Sequence, residues 1–590
     1  MGQTLERGLR LAPARLDVER RADGATLLRS PHKLGGHARA IGEWLRRWAA
    51  EAPERTFLAE RQGEGWRKVG YRETLALARR VGQGLLARGL NASAPVAILS
   101  DNSVDHALLA LGAMHVGVPV APVSPAYSLM SKDFAKLRTI FELLRPGIVW
   151  TSDPGKFAPA LAAVGASATP LAELLEREPG SEVDRAFGAV GPDTVAKILF
   201  TSGSTGTPKG VINTQRMLTV NQEQYARVWP FLEELPLVLV DWLPWNHTFG
   251  GNSNFFMMLR NGGTLHIDAG KPAPGLVETS VRNLKEVSPT LYFNVPRGFD
   301  LMLPLLERDS ELRASFFRRL ELMVYAGAAL PQNLWERMQR LAMAERGTQL
   351  PLISAWGSTE TAPLATCVHY PVDRAGIVGL PVPGCELKLV PAAGKLEVRV
   401  KGPNVTPGYY GRDDLTRAAF DEEGYYRIGD ALKFADPGRP EQGLAFDGRT
   451  AEDFKLSTGT WVHVGATRIK LIAAGDPLVQ DAVITGHGRP EVGALVFLNA
   501  AAVKAKGLDG EAVRAHLRAA MRKLAAETGS GSSTHPVRAL VMADLPSIDA
   551  NEITDKGYIN QRAVLERRAA LVEALHADPP GADVLLAQDK

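Results

Sequence analysis

Cysteine is nearly missing from this 590-residue chain, which holds only Cys367 and Cys385. Two isolated thiols make no disulfide framework and no metal cluster, so both read as reduced packing residues of a cytoplasmic protein. An excess of charge is lacking too. With 68 Lys and Arg against 65 Asp and Glu, the formal net charge is +3, which gives no broad attraction to nucleic acid or to a membrane surface. No run approaches the roughly 18 uninterrupted apolar residues of a membrane helix. At the N-terminus, where an export signal would keep an apolar core, Glu6, Arg7, Arg10 and Arg15 interrupt the sequence. No internal repeat recurs at a solenoid or propeller period. These absences predict a chain that carries no anchoring or export segment.

The length is too great for one hydrophobic core and predicts at least two domains. The first ~30 residues read as a loosely ordered arm with a hairpin-like turn at Asp23-Gly24, and we bound this arm at 1–35. Beyond it, helical patterns such as Tyr71 to Gly89 alternate with short apolar runs at Val96–Leu99, Val118–Val123, Leu237–Val240 and Leu322–Tyr325. Such alternation predicts an α/β domain with largely parallel sheets, flanked by helices, over 36–447. Near residue 390 the character changes: Lys395–Val400 alternates as a half-exposed strand, and a turn-rich stretch spans Ala435 to Pro440. Residues 448–590 then read as a small α+β domain. It carries hairpin-like runs at Asp481–Gly486 and Val492–Leu498, and a helix with Val513, Leu517, Met521 and Leu524 on one face.

The densest chemical signal is Thr201-Ser202-Gly203-Ser204-Thr205-Gly206-Thr207-Pro208-Lys209-Gly210, directly after the apolar run Val195–Phe200. Glycines expose backbone N–H groups, hydroxyls add donors, and the lysine brings a mobile positive charge, as a polyphosphate requires. It is not the common P-loop, because Pro208 precedes the lysine and Gly210 follows it. A helix capped by Thr214 is expected next, with Leu218, Tyr225, Val228 and Trp229 on one face. Downstream, Tyr325-Ala326-Gly327-Ala328-Ala329-Leu330 is a strand end running into small residues. Ala355-Trp356-Gly357-Ser358-Thr359-Glu360-Thr361 offers an aromatic face, a hydroxyl and a carboxylate: a stacking surface, a phosphate donor and a magnesium ligand. Tyr425 to Asp430 ends in a carboxylate suited to ribose hydroxyls, and Gly448-Arg449 adds a guanidinium. Singly, each has a plain structural reading: Trp356 as a core aromatic, Glu360 as a solvated or N-cap carboxylate, Asp430 as a turn residue.

In this order the segments resemble the adenylate-forming superfamily of acyl-CoA synthetases, peptide-synthetase adenylation domains and luciferases. The resemblance spans about residue 40 to 565. Within it, Leu243 to Asn252, Ala451 to Trp461 and Asn551 to Gln561 look most like bacterial feruloyl-CoA synthases. The resemblance implies a large domain followed by a small mobile one, and ATP, Mg2+ and coenzyme A as reactants. Carried over by position, Thr201, Ser202, Gly203, Ser204, Thr205, Gly206 and Lys209 would fold over the phosphates. Gly327, Ala328, Trp356 and Gly357 would border the adenine, with Trp356 in place of the commoner tyrosine. Thr359 would meet the α-phosphate and Glu360 the magnesium, while Asp430 and Arg449 would serve the ribose. Lys556 would bridge the acyl carboxylate, ribose and phosphate. His247 sits where the family often has an aromatic residue beside the carboxylate. Phe249, Asn252, Phe293, Asn294, Tyr325 and Ala326 are candidates for the acyl pocket, and each also reads as core or loop packing.

The resemblance implies activation of an aromatic carboxylate, ferulate or a related hydroxycinnamate, through an acyl-adenylate to its CoA thioester. The alternatives are a benzoate-type or medium-chain acid, a carrier-protein acceptor, or a non-catalytic nucleotide sensor. The family's small domain swivels between the two half-reactions, which places a hinge near 449–455. Here the usual acidic or lysine hinge position holds Ala451, and the closing motif Thr554-Asp555-Lys556-Gly557 puts glycine after the lysine rather than before it.

Overall fold

The computed structural model describes residues 9–201, 206–273, 275–392, 394–528, 531, 533–554 and 557–588. Short apolar runs that alternate with helices form strands buried on both faces. Val96–Leu99 and Val120–Val123 are wholly buried and pair in parallel, as continuous apolar strands covered by helices do. They lie in a five-stranded sheet with Ile148–Thr151, Val195–Thr201 and Lys209–Thr214. Its last pair is antiparallel, so the Ser/Gly run spans the tip of a hairpin. The helix Gln215–Val228 follows, capped by Thr214, whose side chain accepts from Met217 N.

A mixed eleven-stranded sheet forms the largest layer. At one end Leu291–Asn294, Leu322–Tyr325 and Leu352–Gly357 run parallel; towards the other, Tyr426–Phe434 pairs antiparallel with Lys395–Lys401 and Leu444–Arg449. A further four-stranded sheet joins Val238–Asp241 and Thr264–Ile267 to Thr56–Gln62 and Gly65–Gly70. The smaller C-terminal domain has its own four-stranded sheet, built from Val479–Thr485, Gly493–Leu498, Arg538–Val541 and Leu585–Leu586. Strand alternation sends Ala482, Ile484 and Val496 to one face, against Leu517 and Met521 of the helix Gly510–Thr528. Val483, Leu495 and Phe497 turn to the other face, against Val564 and Leu575. The protein is thus α/β, with a large N-terminal domain of mixed sheets and helices and a smaller C-terminal domain. Both cysteines are buried and free. Among the described residues no helix is long and apolar enough to cross a membrane.

The N-terminal segment corrects the expectation of a loose arm. Asp17–Arg20 and Thr26–Arg29 form a hairpin, turned at Gly24 with φ +85°, and the second strand pairs with Glu386–Leu389. Leu27 and Leu28 are fully buried, so apolar burial holds the hairpin down.

Beside that hairpin, Asp421 accepts from Lys388 Nζ at 2.5 Å, Arg399 Nη1 at 3.0 Å and Tyr425 N at 2.9 Å. Burial alone would push its carboxyl up, but Lys388, the Tyr425 N–H and Arg399 together hold it down to about 2. A carboxyl held below its unfolded value of roughly 3.9 adds stability above that value and loses it as pH falls toward 2. Asp421→Asn is expected to destabilise the large domain by about 2–3 kcal/mol at neutral pH, because it removes the fully buried charge that Lys388 and Arg399 share and leaves them only the more exposed Glu423 and Glu397. Thermal melts of both proteins from pH 7 to pH 2.5 should show the gap closing as acid is added; a constant gap would refute the assignment.

Candidate active site

The hairpin Val195–Thr201/Lys209–Thr214 ends with Thr201 opposite Lys209. Ser202, Gly203, Ser204 and Thr205 lie outside the described residues. Lys209 Nζ stands 4.6 Å from the centroid of the Tyr409 ring and 3.5 Å from its hydroxyl. That hydroxyl donates to Glu360 Oε1 at 2.9 Å and lies 3.2 Å from the hydroxyl of Tyr426. Burial first, and the Glu360 carboxylate second, push the Tyr409 hydroxyl well above its ordinary value, so it stays a donor at neutral pH. A lysine, two tyrosines and a buried carboxylate thus converge from four separate segments.

Glu360 is placed by the turn after the strand Leu352–Gly357. A Cβ at Gly357 would come 1.7 Å from Pro363 O, so the strand end lies directly on that backbone and only glycine fits. Thr359 and Glu360 are both buried in the short 3-10 turn that follows, and Thr406 N donates to Glu360 O at 2.8 Å. One residue before the glycine, Trp356 Nε1 donates to Asp430 Oδ2 at 3.0 Å. Asp430 faces Arg449 in register across neighbouring strands, with Nε 3.6 Å from Oδ1. Burial raises the Asp430 carboxyl, opposed by Arg449 and by the indole N–H. Gly327 and Ala328 follow the strand Leu322–Tyr325 as an exposed rim, with Gly327 at φ +85°.

The acyl-pocket candidates divide. Phe249 and Phe293 meet edge to face, 6.0 Å apart, and His247 is half-buried with Nε2 3.4 Å from Asn246 Nδ2. Ala326 N bonds to Asn294 O at 3.3 Å. Both asparagine side chains make interior hydrogen bonds, while Asn252 Oδ1 is left buried without a partner among the described residues. Asn252 donates to Asn213 Oδ1 and Thr248 Oγ1. Asn294 accepts from Trp242 Nε1 and donates to the Tyr292 hydroxyl. The Tyr325 hydroxyl likewise accepts from Gly376 N. In each case a buried polar group donates or accepts at an internal partner, which the linear pattern cannot reveal.

The small domain reaches the same site. Ser131 Oγ and Lys132 N donate to the carboxylate of Asp549, and Lys136 Nζ donates to Ile548 O at 2.6 Å. Asn551 packs on Gly206, where a Cβ would stand 2.6 Å from Nδ2, and the Tyr558 hydroxyl lies 2.9 Å from a Cβ placed on Gly327. Lys556 lies outside the described residues; its neighbours Thr554 and Tyr558 are bonded to each other through Thr554 N and Tyr558 O. Between the domains, Asp453 is buried and paired with Lys395, and it accepts from Val464 N and bonds His463 Nδ1 at 3.0 Å.

Residues 45–410 match the AMP-binding enzyme family, and residues 456–579 match the AMP-binding enzyme C-terminal domain. The chain belongs to this family of AMP-binding enzymes. It is 26% identical to 3-hydroxybenzoate–CoA ligase of Aromatoleum sp. (strain CIB), over 72% of this chain and 79% of that one. It is also 26% identical to a carboxylic acid reductase of Segniliparus rugosus, over 66% of this chain but 33% of the reductase. The chain spans about half or less of the length of the first curated relatives it matches. The adenylation domain of a carboxylate reductase from Mycobacterium chelonae shares the fold at a TM-score of 0.71, with 20% identity and 92% of each chain covered.

Within this AMP-binding enzyme, Tyr409 and Tyr426 are the site residues that sequence reasoning missed. Tyr426 lay inside a segment singled out only for its terminal carboxylate. Tyr409 sits between Gly408 and Gly411, a weak sign of close backbone approach; indeed Tyr410 N bonds to Gly210 O at 2.7 Å. Among the described residues no three His, Cys, Asp or Glu side chains gather to hold a metal ion. The buried carboxylate of Glu360 does fit Mg2+, which takes one or two protein carboxylates and completes its shell with phosphate oxygens and water.

Proposed function

We propose that this protein activates an aromatic carboxylate with ATP and transfers the acyl group to coenzyme A. The observation that carries the reading is the convergence of Lys209, Tyr409 and Glu360 beside the Trp356–Asp430–Arg449 group. The first suits a polyphosphate, the second a nucleoside. The substrate carboxylate oxygen attacks the α-phosphorus of ATP, forming a mixed anhydride and releasing pyrophosphate. The thiol of coenzyme A then attacks the acyl carbon; the bond to the AMP oxygen breaks, and the thiol proton passes to solvent. Both reacting groups in the first step are anions, so positive charge in fixed positions is the principal catalytic need. Lys209 and Lys556 supply it from the protein. Mg2+ at Glu360 would neutralise phosphate charge.

Thr359 serves the α-phosphate in this reading, Trp356, Gly327 and Ala328 the adenine, and Asp430 and Arg449 the ribose. His247, Phe249 and Phe293 border the acid. Residues 448–590 turn as a unit about 449–455 between the half-reactions. Asp453, tied to Lys395 across the junction, is the better pivot than Ala451, whose side chain can make no such bond.

We place the substrate among hydroxycinnamates such as ferulate, on the strength of the three segments that resemble feruloyl-CoA synthases. A benzoate-type acid is the second reading, favoured by the similarity to a 3-hydroxybenzoate ligase. AMP formation with ATP, Mg2+ and coenzyme A, followed across ferulate, p-coumarate, 3-hydroxybenzoate and octanoate, separates them. Turnover is expected chiefly with the hydroxycinnamates. Preference for another acid would replace the substrate, and ATP binding without turnover on any acid or carrier would favour a sensor.

A further inference from the structure

Lys197 has no place in the chemistry above, yet it is only 4% exposed. Its Nζ donates to Gly251 O at 3.0 Å and stands 5.5 Å from the Phe256 ring centroid. Among the described residues no carboxylate pairs with it, so the Gly251 carbonyl and the Phe256 ring offset only part of the cost of burying its charge. Burial alone pushes its amine down to about 7.

The partner of this lysine is unusual. Phe249–Asn254 form a π-helix, whose wider turn interrupts the α-helical hydrogen-bond ladder. Side chains from elsewhere take up its carbonyls: Lys197 takes that of Gly251, and Gln222 Nε2 takes those of Asn252 and Ser253 at 2.9 and 3.1 Å. Asn213, directly across the strand pair from Lys197, accepts from the Asn252 amide. On its other side the π-helix leaves no slack. Gly251 N donates to His247 O at 2.8 Å, and a Cβ on Gly250 or Gly251 would lie 2.2 Å from the carbonyl oxygens of Leu243 and Trp245 respectively. Lys197 thus grips the residue that grips His247, and the same short helix carries Phe249 against Phe293.

We propose that Lys197 is a positioning residue for the acid: by holding the Gly251 carbonyl it fixes the π-helix, and through it the His247 and Phe249 side of the acyl pocket. This rests on the reading of His247 and Phe249 as bordering the carboxylate substrate. Lys197 is on the strand that leads into the Ser/Gly loop, so it joins the frame of the phosphate site to the frame of the acyl site without touching either substrate.

Lys197→Met keeps most of the volume and removes the donor. It is expected to raise the KM for the acid about tenfold, as for a carbonyl left unpaired in the interior, while the KM for ATP stays within about twofold. Lys197→Gln, which retains a donor, should recover most of the loss. Gln222→Met, acting on the two neighbouring carbonyls, should move the same constant in the same direction. Without any substrate, amide hydrogen exchange across 247–254 should quicken in Lys197→Met and not elsewhere in the large domain. Equal shifts in both KM values, unchanged exchange at 247–254, or failure of both the Met variants to fold would overturn the proposal. If the wild type activates no acid, the functional reading fails, and the exchange measurement still decides whether Lys197 holds the π-helix.

Discussion

Glu360→Gln is expected to cut acid-dependent ATP–pyrophosphate exchange by about 10²–10³-fold, the usual cost of removing one preorganised charge-stabilising group. The amide preserves shape and can still accept from the Tyr409 hydroxyl, so folding and nucleotide binding should survive. What disappears is the negative charge available to a metal ion, in a buried position where no three potential metal ligands gather among the described residues. The informative measurement is the dependence of exchange on Mg2+ concentration in wild type and variant. A variant that needs much more Mg2+ supports the assignment. A uniform fall in rate with an unchanged Mg2+ midpoint would make Glu360 a support for Tyr409 and nothing more.

Lys556→Ala should separate the two half-reactions. Adenylation brings two anions together and needs the cation, so exchange should fall by at least about 10²-fold. Thioester formation from supplied acyl-adenylate expels AMP from a neutral thiol's attack and has no such need, so it should remain within a few fold of wild type, on the order of unity in ratio. Equal loss of both would mean that the substitution acts on the domain as a whole. The position is a severe test, because Thr554-Asp555-Lys556-Gly557 reverses the usual order of glycine and lysine. The described flanks make it a reasonable one: Asn551 reaches Gly206 and Tyr558 reaches Gly327, at either side of the nucleotide candidates.

Much of the fold was legible because it rests on local pattern. The apolar runs at Val96–Leu99 and Leu322–Tyr325 are strands with those bounds, and the helical pattern from Tyr71 became Tyr71–Ala87. These elements bury one continuous surface, and periodicity reports burial directly. The candidate site could be proposed from the sequence where its side chains sit inside a compact segment, as Trp356, Thr359 and Glu360 do. It was hidden where partners are far apart in sequence. Tyr409 meets Lys209 across 200 positions, and no spacing rule connects them. The partners of Asn252 and Asn294 were hidden for the same reason: the Asn252 amide meets Asn213 across 39 positions, and Asn294 meets Trp242 across 52. The hairpin turn at Asp23-Gly24 was legible, but its docking was not: the outer strand is exposed and charged, and looks like any solvated segment until its inner strand is seen against Glu386–Leu389.

That outer strand has a consequence for self-association. An eleven-stranded sheet ends in a row of unpaired backbone groups, which another copy of the chain can extend. Here the terminal strand is four residues long, all exposed, and three of them, Asp17, Glu19 and Arg20, carry charge. At the opposite end the sheet closes on Leu291–Asn294, every residue of which is buried. The hairpin of residues 17–29 therefore acts as a selvedge: it finishes the edge of the sheet and keeps the neighbouring strand Glu386–Ala392 from serving as a template for aggregation.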